Sequence, residues 1–158
     1  MRIVTFDPGH MTGYALFEDG QLRDSGEFSY LEDPGLHMLS LWLHRNTAHI
    51  DLVIIEKFAL YAWKAQHKSW DTFPEVEVIG VIKYLCRRNS IRFIEQLPSQ
   101  KDMFTNKYID TFIGKEKQVS SRHAYDAIRH GLVYYTVGDG KELGYAQDIF
   151  RSVKGKNS

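Results

Sequence analysis

Four residues in this chain have the types and positions that chemistry would need: Asp7, Glu56, His123 and Asp126. Asp7 closes the apolar run "RIVTF" and is followed at once by Pro-Gly, Glu56 closes "DLVII", and His123 and Asp126 stand three apart in "HAYD". On a helix that spacing makes neighbours on one face, with Cβ atoms about 5–6 Å apart. If the strands ending on Asp7 and Glu56 pair in parallel, both carboxylates leave the same edge of the sheet, and the helical pair can be laid over it. Three converging carboxylates repel one another unless they are protonated or share a cation. Hard oxygen ligands in that number suit Mg²⁺ or Mn²⁺. Two such ions about 3.5–4 Å apart can flank a phosphodiester, one activating water and the other stabilising the leaving oxygen. The chemistry expected is therefore hydrolysis by a nuclease. An acid that ends a strand also serves as a plain turn residue, and a lone histidine as a surface group. It is the set that carries the reading. His130, one turn beyond Asp126, shares its face as a candidate neighbour of the site.

Elements to position these groups can be read along the chain. "RIVTF", "GYALF" and "QLRDSGEF" form a three-stranded meander, with "EDG" as a hairpin turn that tolerates positive φ. Pro34 opens a helix in which Leu36, Leu39 and Leu43 recur at spacings of three and four, running out near His49. "DLVIIE" suits a strand buried on both faces. Residues 57–73 have no clean period. From Glu75 to Arg88 apolar residues nearly encircle a helix, and "IRFIEQL" is a fifth strand stopped by Pro98. Ser99 and Asp102 suggest a capping box before a helix marked by Phe104, Tyr108 and Phe112. Residues 115–136 form the last long helical pattern. The expectation is an α/β domain over residues 1–138, a mixed sheet of three antiparallel and two parallel strands flanked by helices, with a polar C-terminal tail at 139–158.

Composition limits the rest. The 158 residues suffice for one well-buried core. A formal net charge of +0 gives no global attraction to a polyanion, so nucleic-acid affinity must come from local Lys and Arg. One cysteine, Cys86, excludes an intramolecular disulfide, and no apolar run is long enough to cross a bilayer. A cytoplasmic protein is expected.

The stretches "TFDPGHMTGYALF", "LVIIEKF", "IEQLPSQ", "KEKQV" and "HAYDAIRHGLVYY", in this order, resemble the RuvC family of Holliday junction resolvases within the RNase H-like superfamily. The resemblance touches most of residues 2–136. It implies an RNase H-like fold and two Mg²⁺ ions held by Asp7, Glu56 and Asp126, with His123 at a position that is Asp or His among relatives. It also implies a homodimer that nicks opposed strands of a four-way junction, joined through the helix around Gly80. Two departures stand out: only three residues separate Gly9 from Gly13, and the stretch between Lys117 and His123 is short. They suggest a compact, phage-type variant and bear on substrate selectivity more than on chemistry.

DNA-facing candidates follow. Phe58, Tyr61, Lys64 and Lys68 mix aromatic faces with cations, as stacking on unpaired bases beside held phosphates would need, and the aromatics would serve equally for packing on the sheet or on a dimer partner. Lys101, Lys115, Lys117 and Arg122 add local positive charge in the C-terminal third. Other readings are a less selective fork or flap endonuclease, or a non-catalytic DNA-binding dimer of the same fold. A phosphotransferase with an acid-glycine phosphate loop would need a second comparable loop and domain, for which the chain has no room.

Overall fold

The computed structural model describes residues 1–30, 35–46, 49–58, 73–114, 119 and 121–154. Strands β1 (Arg2–Asp7), β2 (Met11–Glu18) and β3 (Gln21–Ser29) form the antiparallel meander. Strands β4 (Leu52–Glu56) and β5 (Arg92–Gln96) add in parallel on the far side of β1, giving the order β3-β2-β1-β4-β5. Asp19 and Gly20 both take positive φ, 51° and 75°, in the two-residue turn joining β2 to β3. This is the turn whose twist matches that of its strands.

Five helices are described: α1 (Gly35–Asn46), α2 (Pro74–Arg88), α3 (Asn106–Ile113), α4 (Arg122–Thr136) and α5 (Ala146–Lys154). Side chains alternate across a strand, and the two cores divide accordingly. Val4, Phe6, Val53 and Ile55 pack with α1 and α2, through Leu39, Leu43, Val78 and Ile82. Ile3, Leu52, Ile54 and Ile94 pack on the other face with α4, through Ala127, Ile128 and Leu132. By the same parity Asp7, Glu56 and Gln96 fall on the α4 face. The Thr5 hydroxyl, also on that face, donates to the Ala127 carbonyl at 2.6 Å and ties α4 to β1.

Three expectations change. The segment after Pro98 is a 3₁₀ turn, Pro98–Met103, in which the Leu97 amide donates to the Gln100 side chain at 3.2 Å. Phe104 then turns extended and buries its ring, so α3 begins later, capped by Thr105 rather than Ser99. The last long helix starts at Arg122, because Ser121 is fully extended and its hydroxyl accepts from the Ala124 amide at 3.2 Å. Beyond Gly138 a second 3₁₀ turn, Asp139–Leu143, leads into α5, whose Ile149 is 2% exposed and joins the core. The Tyr145 hydroxyl donates to Asp19 at 3.1 Å, fastening this segment to the first hairpin. Among the described residues no helix is long and apolar enough to cross a membrane.

Candidate active site

The parallel register sets Phe6 beside Ile55 and Glu56 beside Gln96. The C-terminal ends of β1, β4 and β5 therefore present Asp7, Glu56 and Gln96 in a row. α4 lies across this row, and it can do so because β2 carries Gly13: a Cβ there would sit 2.0 Å from the His123 carbonyl oxygen. The structure gives the space to the first turn of α4.

Asp7, Glu56 and Asp126 converge on one cation, the ammonium of Lys101, whose Nζ lies 3.3 Å from Asp7 Oδ1, 2.8 Å from Glu56 Oε2 and 3.1 Å from Asp126 Oδ2. Lys101 reaches them from the first 3₁₀ turn. His123 Nδ1 stands 3.3 Å from Asp7 Oδ2. Arg129 pairs with Asp126 and with Asn106, and donates from Nε to the Phe104 carbonyl at 2.7 Å. A cleft of about 550 Å³ opens over the acids, lined also by His10, Phe58, Arg122 and His123.

The electrostatics are divided between the two strand-final acids. Burial pushes Asp7 up to about 6, aided by the neighbouring Glu56 and Asp126 charges and opposed by Lys101 and His123. Burial also works against ionised Glu56, but hydrogen bonds from His130 and Lys101 outweigh it and hold Glu56 down at about 2. Burial lowers Lys101, and the three carboxylates more than offset this and raise it.

A hard divalent cation fits this donor set. Three carboxylates already share one positive charge within hydrogen-bond distance, and Asp7 is left with an ionisation cost that a second charge would relieve. Asp7, Glu56 and His130 also offer ligand atoms within 4.8 Å of one another.

Of the residues expected from sequence, the structure brings together Asp7, Glu56, His123, Asp126 and Lys101, and sets Arg122 and Phe58 at the cleft wall. Lys101, expected to face DNA, is instead embedded among the acids. Phe58, expected to stack on bases, meets the Phe73 ring at 5.4 Å between centroids. Tyr61, Lys64, Lys68, Lys115 and Lys117 lie outside the described residues. Sequence reasoning missed Gln96 and Arg129 and gave His130 only a neighbour's place. Gln96 had a signal, since "RFIEQ" ends on a polar residue at the same parity as the strand-final acids.

Such a sheet, with acids at the ends of its central strands beneath a long helix, is the RNase H-like fold. The sequence matches no protein-family profile, and no protein of curated function is found similar to it. Among solved structures, Thermus thermophilus RuvC in complex with a Holliday junction substrate superposes with a TM-score of 0.58 at 15% identity, covering 85% of this chain and 94% of that one. The fowlpox virus resolvase in complex with its substrate Holliday junction DNA gives 0.55 at 19% identity, covering 85% and 96%. The resemblance to RuvC read from the sequence thus holds at the level of the fold.

Proposed function

We propose that this protein is a divalent-metal-dependent endonuclease that resolves four-way DNA junctions by paired nicks, acting as a homodimer. The observation that carries the reading is the convergence of Asp7, Glu56 and Asp126 on a single positive charge at the floor of an open cleft. Asp7, Glu56, His123 and Asp126 would hold Mg²⁺ or Mn²⁺, two ions per site, and the ions when bound supply an activated water and charge stabilisation at the leaving oxygen. The chain's own residues do the rest. Glu56, kept ionised far below neutral pH, is a constant anionic anchor. Asp7 ionises only near pH 6, so at neutral pH its charge is undercompensated and is the one that a bound cation would relieve. Lys101 would be displaced from the acids when they bind metal, and its ammonium, which lines the same cleft as Arg122, would then be free to meet a phosphate.

Support for the homodimer comes from α2. Val76 and Tyr84 are 47% and 60% exposed, and between them a Cβ at Gly80 would meet nothing within 4 Å beyond its own stretch of helix backbone among the described residues. With Gly80 these two recur every four residues along one outward stripe of the helix, and glycine at its centre permits close approach of a second copy.

The test is cleavage of a labelled four-way junction, a fork and a linear duplex with Mg²⁺, Mn²⁺ or EDTA. Paired, metal-dependent nicks confined to the junction are expected. Equal cutting of all three substrates would move the function to a less selective nuclease, and no cutting by folded protein would leave a DNA-binding module.

A further inference from the structure

His130 is the one imidazole of the described residues that is wholly shielded from solvent while touching the acid cluster, at 0% exposure. Its Nε2 lies 2.8 Å from Glu56 Oε2, and its Nδ1 lies 2.8 Å from the Gln96 side-chain amide. Gln96 is itself buried, and its backbone carbonyl accepts from the Lys57 amide at 2.7 Å. The ring is therefore gripped on both nitrogens between the last residues of two adjacent strands. Although its nitrogen lies close enough to Asp7 and Glu56 to complete a ligand set, His130 is absent from the residues lining the cleft, whereas His123 lines it. His130 and the Lys101 ammonium meet at one oxygen, Glu56 Oε2, each at 2.8 Å, His130 from the buried side and Lys101 from the cleft.

We infer that His130, held by Gln96, is a positioning residue: it fixes the rotation of the Glu56 carboxylate from the buried side and is not itself a metal ligand. The inference rests on the metal-dependent reading proposed above. A carboxylate already held by a fixed buried partner loses little freedom when it captures a cation, and residues that orient a ligand in this way commonly govern about 10–100-fold in metal affinity. Gln96 supplies the second half of the device, because without it the ring could turn about its side-chain bonds and release Glu56.

The experiment is Mn²⁺ binding by calorimetry, with electron spin-echo detection of nitrogen coupled to the bound Mn²⁺, on the full chain carrying His130→Gln, His130→Phe or Gln96→Met. His130→Gln retains an N–H donor near the Nε2 position, and His130→Phe fills the space without one. Expected are a loss of about tenfold or more in affinity for His130→Phe, recovery to within about threefold for His130→Gln, an intermediate loss for Gln96→Met, and an unchanged nitrogen signal in His130→Gln. Should His130→Phe not fold, as judged by circular dichroism, the His130→Gln and Gln96→Met pair decides alone. Wild-type affinity in both His130→Phe and Gln96→Met would overturn the inference, as would loss of a nitrogen signal in His130→Gln, which would make the ring a ligand. If the wild-type chain binds no Mn²⁺, the metal-dependent reading fails and this inference with it. Binding by wild type with no difference among the variants defeats the positioning role alone.

Discussion

Replacing Asp7 by Asn should stabilise the metal-free protein while abolishing cleavage. The magnitude follows from the site. Asp7 is buried among two other carboxylates and ionises near pH 6 rather than at its ordinary value of about 3.9. At about 1.36 kcal/mol per pH unit, that difference makes the charged form at pH 7.5 costlier in the folded than in the unfolded chain by about 3 kcal/mol. Asn reproduces the neutral form, so the variant recovers this energy, about 6–12 °C in melting temperature for a chain of this size. The sign in pH follows from the raised value: the penalty is complete above about pH 6 and fades as pH falls from there toward about 4. Glu56, held low at about 2, contributes stability that is lost only in stronger acid, so the window from pH 7 to pH 5 belongs to Asp7. Thermal melts in EDTA at pH 7.5 and 5.0 measure this. Wild type should gain on acidification relative to Asp7→Asn, and Mg²⁺ should raise the wild-type melting temperature at pH 7.5 but not that of the variant. A variant that melts at or below wild type at pH 7.5 in EDTA would refute the reasoning, because the acid cluster would then carry no unrelieved charge.

Other perturbations test neighbouring parts of the structure. Lys101→Met removes the charge shared by three carboxylates; it should lower the melting temperature in EDTA by several degrees and lower the Mn²⁺ concentration needed for half-saturation in calorimetry. Gly13→Ala drives a methyl group into the His123 carbonyl, and should cost about 2 kcal/mol or more in urea unfolding and weaken metal binding, since α4 must shift. Tyr84→Glu with Gly80→Glu should convert a dimer to a monomer in sedimentation velocity without altering the circular dichroism spectrum. Ile149→Ala, at a fully packed position of α5, should cost about 2–4 kcal/mol in urea unfolding; no effect would mean that α5 is not part of the cooperative unit.

The strands and the mixed character of their sheet, though not the order of the strands, were legible because apolar runs ending on Asp7 and Glu56, with Asp-Gly between two of the strands, are signals in the local sequence. The same is true of the HxxD face, which needs only helical spacing. What escaped is long-range. That Lys101 would leave solvent for the acids depends on a 3₁₀ turn placed by the burial of Phe104, and nothing in "PSQKD" records it. Ser121 outranked the helical pattern upstream of it because a cap hydrogen bond decides where a helix begins. The polar residues after Gly138 concealed Ile149 and Tyr145, two side chains sufficient to dock a short helix.

Because β1, β4 and β5 are consecutive parallel neighbours, the side chains at their ends are spaced by the hydrogen-bonded distance between strands, about 4.8 Å. That distance is a ruler made of backbone alone. Substitutions in the helices, the cores or the loops can tilt or trim what surrounds the cleft, yet they leave the ruler's marks unmoved. Only a slip of strand register, which would turn Glu56 to the opposite face in one step, could erase them.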